Sequence, residues 1–381
     1  MKAIIIATYF SLFIVLFAGC KQNDGTETSS KITAENQIRY AKGLAIYKYS
    51  GFSVVKITDP WPKATKAYTY VLQEKGTVIP DSLKQHTIII HIPLRSIVVT
   101  STTHISSLEM LGVEKTLVGF PGLDYISSEK VRTRITAGKV RELGNNQSLN
   151  TEVIIDLQPD LIVGFGIDNN NPALDNLQKN GLKIMLNGDW NEQTPLGKAE
   201  WIKFFGALYG LENKADSLFT GIEKEYKTTV TLAKKATFKP TVLAGAIYEN
   251  QWYLPQGNSW SATFTRDAAG NYIWNGSKGT GSLSLPFETV LEKGNDAEFW
   301  IGPAQYTSLA EMTVDNPHYN QFLAFKKKQV YSFSSKKGKT GGIVFYELAP
   351  NRPDLVLKDM LAILHPELMP GYKLFFFEKL Q

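Results

Sequence analysis

A strand–helix–strand unit between Arg95 and Phe165 constrains the fold of this chain more than any other stretch. The apolar run Ile97–Val99 is short enough for a buried strand. An amphipathic helical pattern follows it and ends at Gly112. A strand is then predicted at Thr116–Phe120, and the segment Leu149–Val163 reads as a helix capped by Asn150, a stop at Pro159 and another buried strand. Short connections between such elements are typical of a parallel α/β sheet.

The polar loops of this unit lie where a parallel sheet binds ligands. In open parallel sheets, ligands bind beyond the carboxyl ends of the strands. The hydroxyl-rich segment Ser101–His104 follows the first strand, and Gly164–Asn171 follows the last. Both loops are therefore predicted to face a ligand.

Three blocks in this region resemble a known family: Ile97–Gly112, Gly138–Gly144 and Leu149–Val163. Their order and spacing are similar to the first lobe of the iron-chelate and cobalamin binding proteins, the class III solute-binding proteins of ABC importers. The resemblance extends more thinly to the C-terminus. It implies an α/β fold with two Rossmann-like lobes, each with a parallel central sheet, joined by one long connecting helix. It also implies partnership with an ABC permease dimer and its ATPase.

The length of 381 residues, 43% of them hydrophobic, suits two α/β lobes with separate cores. We predict an N-terminal α/β lobe over residues 38–195, connecting helices over 196–237 and a C-terminal α/β lobe over 238–381. Within the first lobe, residues 38–92 alternate with a period of two around Ser50-Gly51, which indicates a hairpin. We expect this extra β section to build the edge of the first lobe.

The helical pattern from Glu212 to about Ala236 is the longest in the chain. The resemblance places the connecting helix here; a long surface helix is the plainer alternative. The second lobe would begin at Lys239-Pro240, with a buried strand at Thr241–Ile247. Near the end of the chain, Phe375–Phe377 is predicted to be a buried strand or a docking tail, because an exposed run of this kind favours aggregation.

The N-terminus has the pattern of an exported lipoprotein. Residues 1–19 form a predicted signal peptide, with Lys2 followed by an apolar run. It ends at Leu16-Phe-Ala-Gly-Cys20, which resembles a bacterial lipobox and makes Cys20 the lipidation site. Cys20 is the only cysteine, so the chain cannot form an intramolecular disulfide. Residues 20–37 read as a flexible tether, which predicts a membrane-anchored lipoprotein of the cell envelope that faces the periplasm or the exterior.

The net charge of +5 falls to +4 once Lys2 leaves with the signal peptide. A charge this small, with no basic run longer than Lys326–Lys328, argues against a nucleic-acid partner. We expect a monomer that contacts the membrane through its lipid anchor.

Enzyme motifs are incomplete in this sequence. Gly338-Lys-Thr340 mimics the end of a phosphate-binding loop, but Phe333 stands where the loop needs its first glycine. Gly164-Phe-Gly166 lacks the third glycine of a dinucleotide fingerprint, and the histidines do not pair at metal-ligand spacing along a helix. We therefore predict no enzymatic activity, no resident cofactor and no metal site. A chelatase-type enzyme, the alternative with paired lobes, would need cysteine or histidine ligands that the sequence offers sparsely.

Two glutamates occupy matching positions in the two halves. Glu152 and Glu288 each open a predicted helix. In the family that the chain resembles, an acidic residue at each position docks into arginine pockets of the permease, so the resemblance implies this role for both. Paired charges on rigid elements orient a transient complex. The alternative for either residue is favourable interaction with the helix dipole.

The cleft between the lobes would be lined by aromatic and polar side chains. Arg352 and the Lys336–Lys339 turn are candidates to neutralise an anionic siderophore. Aromatic rings with a few polar groups suit a bulky chelate better than a bare ion, although each aromatic taken alone is more often a core residue than a ligand contact. The predicted ligand contacts are Ser101, Thr102, His104, Tyr125, Trp190, Trp252, Trp260, Trp274, Tyr346 and Arg352.

These observations predict a lipid-anchored substrate-binding component of an ABC importer that captures a metal chelate between its lobes. A ferric siderophore is the first candidate ligand; cobalamin or haem would leave the role unchanged. A scaffold lipoprotein that has kept the fold as an interaction module is the alternative outside transport, and it predicts a filled cleft.

Overall fold

The computed structural model describes residues 34–85, 87–166, 168 and 170–381. The predicted signal peptide, Cys20 and most of the predicted tether lie outside the described residues. Residues 35–381 form one compact unit. Within the described part of the chain, no helix combines the length and apolar character needed to cross a membrane.

The N-terminal β section forms a four-stranded sheet of its own that packs on the first lobe. Its elements are β1 (Leu44–Tyr49), β2 (Phe52–Ile57), β3 (Tyr68–Glu74), α1 (Asp81–Lys84) and β4 (Ile88–Ile92). The strands lie in chain order, antiparallel except for the parallel pair β3–β4. The predicted hairpin at Ser50-Gly51 is confirmed, and Gly51 has a positive φ of 77°. Ile46, Val55 and Leu72 join the apolar core of the first lobe, so side-chain packing rather than strand pairing attaches this sheet.

The first lobe is built on a parallel five-stranded sheet in the order β11-β10-β5-β6-β7. Asn150 caps α4 as predicted, since its side chain accepts the N–H of Val153, and Gly112 ends α2 with φ of 72°. The elements are β5 (Ile97–Val99), α2 (Thr102–Leu111), β6 (Leu117–Phe120), α3 (Glu129–Thr136), β7 (Arg141–Glu142), β8 (Gly144–Asn145), β9 (Ser148–Leu149), α4 (Thr151–Leu157), β10 (Leu161–Gly164), α5 (Pro172–Lys179) and β11 (Ile184–Leu186).

Three helices lead from the first lobe to the second: α6 (Pro195–Glu200), α7 (Ile202–Leu208) and α8 (Glu212–Ala233). The last of these is the predicted connecting helix, at 22 residues. Its N-terminal half buries Phe219 and Ile222 in the core of the first lobe. Its C-terminal half buries Tyr226 and Ala233 in the core of the second lobe. One helix thus contributes to both cores.

The second lobe has a five-stranded sheet in the order β15-β12-β17-β18-β19, parallel except for the β18–β19 pair. A smaller antiparallel sheet pairs β13, β14 and β16. The elements are β12 (Thr241–Ala244), β13 (Ala246–Tyr248), β14 (Gln251–Pro255), α9 (Trp260–Asp267), β15 (Asn271–Tyr272), β16 (Ser282–Leu285), α10 (Phe287–Gly294), β17 (Phe299–Ile301), α11 (Leu309–Asp315), α12 (Leu323–Lys326), β18 (Val330–Ser332), α13 (Val344–Leu348), α14 (Pro353–Leu364) and β19 (Glu378–Lys379).

The structure differs from two local predictions for this lobe. The single strand predicted at Thr241–Ile247 is wrong, because Gly245 has φ of 76° and sends the chain from one sheet into the other. At the C-terminus, Phe376 and Phe377 are buried as expected, but Phe375 is 42% exposed and the strand is Glu378–Lys379, just after the predicted run. The carboxylate of buried Asp359 accepts the backbone N–H groups of both phenylalanines and of Phe375, which holds this tail against α14.

Candidate functional site

A cavity of about 810 Å³ opens at the carboxyl ends of the first-lobe strands. Thr100–Thr102 follow β5, Phe120–Gly122 end β6, and Phe165 follows β10. The second lobe closes the opposite side with Ile343 and Tyr346. The cavity therefore lies between the lobes, at the sheet edge where the topology predicts a ligand.

Hydroxyl and amide groups dominate the polar surface of this cavity. Asp168 is the one charged side chain among the described residues that line it. Apolar surface comes from rings and aliphatic groups such as Phe120 and Ile343. The polar lining residues are Thr100, Ser101, Thr102, Asn145, Asn146, Gln147, Asn170 and Asn171, together with the phenols Tyr125 and Tyr346.

Hydrogen bonds between side chains and the backbone fix the loops that carry these groups. Thr100 accepts the N–H of Phe165 on its Oγ1 (3.0 Å), and its carbonyl accepts the amide of Asn146 (3.1 Å). The carboxylate of Glu142 accepts the N–H groups of Gly122 (2.8 Å) and Leu123 (2.9 Å). The loops after β5, β6 and β10 are thus tied to the sheet and to its neighbouring turn, which preorganises the polar rim.

A buried polar cluster lies beside the start of α2. His104 is fully buried, its ring lies 5.4 Å from that of Phe205, and neither ring nitrogen has a hydrogen-bond partner among the described residues. Burial lowers the pKa of His104, with Asp189 and Asn187 nearby acting in the opposite sense. The imidazole is therefore neutral at physiological pH.

Lys198 belongs to the same cluster and holds the loop that carries Trp190. Its ammonium donates to the carbonyl oxygens of Asp189 (3.0 Å) and Trp190 (2.6 Å). Burial lowers the pKa of Lys198 to about 8. Asp189 in turn accepts from the hydroxyl of Thr103 (2.7 Å). These groups position the loop and α2 but do not line the cavity.

The lobes meet through a contact that we call the clasp: Glu347 on α13 of the second lobe, with Ser127 and Ser128 before α3 of the first. The Glu347 carboxylate accepts the N–H groups of Ser127 (2.6 Å) and Ser128 (3.0 Å). Burial raises the pKa of Glu347 to about 7, and the neighbouring Glu109 adds to the rise. Tyr125 and Tyr346, which line the cavity, are near neighbours of these residues in the chain. The clasp therefore ties the two lobes together beside the cleft.

A second contact between the lobes lies at α2. Asn351 donates its amide to the carbonyl of Thr103 (3.0 Å) and accepts the hydroxyl of Ser107 (2.9 Å). Asn351 and Ser107 are both buried, so this contact is shielded from water.

The structure brings four of the predicted ligand contacts together in the cavity: Ser101, Thr102, Tyr125 and Tyr346. His104 lies below them in the buried cluster. Trp190 is 38% exposed and donates its indole N–H to the carbonyl of Gly166 (3.2 Å), next to the cavity but outside its lining.

The remaining four predicted contacts lie elsewhere in the second lobe. Trp252 is fully buried, with its ring stacked 5.2 Å from that of Trp300, and Trp274 is buried in the same apolar core. Trp260 lines a separate pocket. Arg352, directly before α14, forms a bidentate ion pair with Asp354 in the first turn of that helix (2.9 and 2.8 Å).

Sequence reasoning missed the amide run Asn145–Gln147 and Ile343 as lining residues. The loop Gly164–Asn171 had been predicted to face a ligand as a segment, and Asp168, Asn170 and Asn171 line the cavity. The usable signal was three consecutive amide side chains in a turn directly after Gly144. Ile343 had no such signal, because the other lobe brings it to the cavity.

The two predicted docking residues are both on the surface. Glu152 lies in the first turn of α4, and Glu288 in the first turn of α10. Each side chain is exposed. Within the described residues, no cation lies within ion-pair distance of either carboxylate. Both charges are thus open to solvent.

Three or more histidine, cysteine or acidic side chains do not cluster at metal-binding distance anywhere in the described part of the chain. The polar groups of the cavity suit a ligand that presents its own donors and acceptors rather than a bare ion.

Comparison with known proteins agrees with this architecture. A family model described as "Periplasmic binding protein" matches residues 97–336. An uncharacterized lipoprotein of Methanocaldococcus jannaschii is 28% identical over 323 residues, covering 81% of this chain and 75% of the relative.

Two solved structures share the fold. One is a possible iron-binding (periplasmic solute-binding) protein from Staphylococcus epidermidis, with a TM-score of 0.56 and 17% identity, covering 72% of this chain and 100% of that one. The other is a periplasmic heme binding protein from Pseudomonas aeruginosa, with a TM-score of 0.55 and 16% identity, covering 76% of this chain and 98% of that one. With two α/β lobes, one long helix that joins them, a cleft between them and a family match over most of its length, the chain belongs to the periplasmic binding protein family and has its class III fold.

Proposed function

We propose that this protein is the lipid-anchored substrate-binding component of an ABC importer and that it captures an uncharged ferric siderophore in the cleft between its lobes. The observation that carries the proposal is the lining of the 810 Å³ cavity, which combines hydroxyl and amide groups with aromatic rings and has one carboxylate, Asp168, as its only charge among the described residues. The chain itself does no chemistry on its ligand.

The charge of the lining decides between siderophore classes. An anionic catecholate chelate would lose its hydration in the cleft without a cation to replace it, which is unfavourable. Arg352 is paired with Asp354, and Lys339 pairs with Glu129 (2.8 Å). A neutral trihydroxamate chelate needs hydrogen-bond donors and aromatic contact instead, and the lining supplies both.

A corrinoid is the second candidate, because the amide run Asn145–Gln147 and the pair Asn170 and Asn171 match the amide-bearing edge of such a ligand. Haem fits this lining less well, since its propionates call for cations. All three ligands would leave the transport role unchanged.

Delivery would use Glu152 and Glu288, the exposed carboxylates of the two lobes. Their positions on the first turns of two rigid helices suit recognition by arginine side chains of a permease dimer. The lipid anchor at Cys20 would hold the protein on the outer side of the membrane, and the lipoprotein relative supports that location.

Tryptophan fluorescence tests the ligand. A chain that starts at residue 21 would be titrated with ferrichrome as the uncharged chelate, ferric enterobactin as the anionic one, cyanocobalamin and haemin, with inner-filter correction and calorimetry as a second readout. We expect saturable sub-micromolar binding of ferrichrome and at least tenfold weaker binding of ferric enterobactin. Tight binding of cyanocobalamin or haemin instead would identify a different transported ligand. If none of the four ligands binds, the scaffold alternative is favoured.

The docking role is tested with the cognate permease and ATPase in proteoliposomes. The variants Glu152→Arg and Glu288→Arg should bind ligand normally and fail to stimulate ATP hydrolysis. Glu292→Arg, on the exposed side of the same helix as Glu288, is the matched control and should stimulate normally. Normal stimulation by both docking variants would refute this role.

A further inference from the structure

The second lobe contains an apolar pocket of about 260 Å³ that the cleft described above does not include. It lies at the carboxyl ends of three neighbouring strands of the second-lobe sheet: Ala244-Gly245 end β12, Ile301-Gly302 end β17, and Phe333 follows β18. This is the edge at which a parallel sheet offers a binding site. The pocket is thus the second-lobe counterpart of the cavity on the first lobe.

The lining of this pocket is aromatic. Phe333 and Phe345 stack with their ring centres 4.3 Å apart, and Trp260 lies edge-on to Phe264 at 5.3 Å. None of the described residues in the lining carries a charge, and Tyr272, its innermost phenol, donates its hydroxyl to the carbonyl of Pro255 (2.5 Å). The aromatic lining residues are Trp260, Phe264, Tyr272, Phe333, Phe345, Tyr346 and Phe377.

The pocket is large for a packing defect. Protein interiors hold few voids larger than a water molecule, and a cavity of about 150 Å³ is enough to bind benzene. Small residues keep the space open: a side chain on Gly302 would come within 3.0 Å of the Phe333 ring, and Ala262 contributes only a methyl group. The volume suits a group somewhat larger than one benzene ring.

Tyr346 connects this pocket to the cleft. Its side chain lines the 810 Å³ cavity, the 260 Å³ pocket and a broad depression on the second lobe. It is 48% exposed, and among the described residues it is the one that lines both the cavity and the pocket. A ligand seated in the cleft therefore lies one side chain away from the aromatic pocket.

We propose that the second-lobe pocket receives an uncharged aromatic arm of the transported chelate, while the hydroxyls and amides of the first lobe hold its metal-bearing head. This inference rests on the proposed function. Aromatic rings pack favourably edge-to-face or offset against the rings of the lining, and an uncharged lining excludes an anionic or cationic arm. The pocket then selects among chelates that share one head group.

Two synthetic uncharged ferric trihydroxamates test the proposal, one with a benzyl arm and one with a methyl group in its place. The chain starting at residue 21 should bind the benzyl chelate at least tenfold more tightly by calorimetry. Ala262→Leu, which fills the pocket, should abolish this preference without changing the affinity for the methyl chelate. Ser261→Phe fills the pocket from a half-buried position and serves if the first variant does not fold. Ala310→Leu, at an exposed position outside the pocket, is the control and should keep the preference.

The outcomes separate this inference from the proposed function. Equal affinity for both chelates, or a preference that survives the filling variants, would overturn the aromatic subsite and leave the proposed function standing. If neither chelate binds, the proposed function fails. Binding of 5-fluoroindole, followed by ¹⁹F NMR, then tests whether the second-lobe pocket binds an aromatic ring at all. If the wild type binds 5-fluoroindole and the filling variants do not, the pocket is an aromatic binding site. If the wild type does not bind 5-fluoroindole, the aromatic-site inference is overturned.

Discussion

At the carboxyl ends of its strands the first lobe presents hydroxyls and amides, whereas the second lobe presents aromatic rings. The sheets behind the two surfaces are alike, each with a parallel core of buried apolar strands. The difference lies in the residues just after the strands. Thr100 and the amide run Asn145–Gln147 make the first surface polar, and Gly245, Gly302 and Phe333 leave an apolar recess in the second. The same architecture thus supports two kinds of recognition, because strand-end residues are free of the constraints on the core.

The largest expected effect compares a core tryptophan of the second lobe, Trp252, with an exposed tryptophan beside the first-lobe cavity, Trp190. Trp252→Ala should lower the free energy of unfolding by about 3–5 kcal/mol, since it removes a fully buried ring and leaves the carbonyl of Ala244 without its donor. Trp190→Ala, at a half-exposed position, should lower it by about 1 kcal/mol. Urea unfolding followed by circular dichroism measures both. Equal effects would remove the distinction between the two positions.

The clasp that joins the two surfaces should make stability depend on pH. Glu347 has its pKa raised from an ordinary 4.5 to about 7, so its contribution is fully present below pH 4.5 and is lost as the pH rises through 7. Glu109 and the residues before α3 face Glu347, and Lys130 pairs with Glu109 (3.4 Å). The loss should be on the order of 3 kcal/mol.

Glu347→Gln tests this dependence, because the amide does not titrate. Between pH 5 and pH 8, the unfolding free energy of the wild type should fall relative to that of the variant. Glu288→Gln, an exposed carboxylate on the same lobe, is the control and should follow the wild type. Parallel pH profiles for Glu347→Gln and the wild type would rule out the clasp as the titrating group.

Tyr125→Ala sharpens the contrast on the ligand side. The ring is 70% exposed at the rim of the polar cavity, so its removal should leave the unfolding free energy nearly unchanged. Affinity for ferrichrome should fall about tenfold, or about 1.4 kcal/mol. Calorimetry and urea unfolding on the same preparation give both values. A stability loss larger than the affinity loss would show that the ring supports the fold instead.

The smallest expected effect comes from adding a cation to the polar surface. Gln147→Lys places an ammonium at an exposed position of the lining. It should strengthen binding of ferric enterobactin by about 0.5 kcal/mol, an effect that 0.5 M salt should remove. Gln147→Met, which has similar length and no charge, is the control. If Gln147→Lys binds ferric enterobactin no more tightly than the wild type does, the lack of cations in the lining does not determine which ligand charge the protein accepts.

Much of the fold was predictable from local sequence. Alternating patterns and buried aliphatic runs predicted β1, β2, β5 and β10, and the caps at Asn150 and Gly112 were confirmed because they depend only on neighbouring residues. The connecting helix was predictable from its periodicity and its place in the family order. The split at Gly245 was missed, since the apolar pattern continues through it and only its positive φ separates β12 from β13.

The site was less predictable. Ser101 and Thr102 were found because they follow a strand, whereas Trp252 and Trp274 are buried in the core among side chains distant in sequence. The sequence shows which positions are tryptophan, but it does not show which of them lie in the cleft and which lie in the core. Burial depends on contacts between segments far apart in the chain, which no local pattern contains.

The sequence by itself determined the family, the two parallel sheets, the helix that joins them and the polar character of the loop after β5, because these follow from periodicity, capping and block order. Only the tertiary structure decided that the N-terminal strands form a separate sheet, that Glu347 accepts the backbone N–H groups of Ser127 and Ser128 in the opposite lobe, and that Tyr346 stands between a polar cavity and an aromatic pocket. Each of these depends on long-range packing, in which the free energy of burial selects among arrangements that local preferences leave equal.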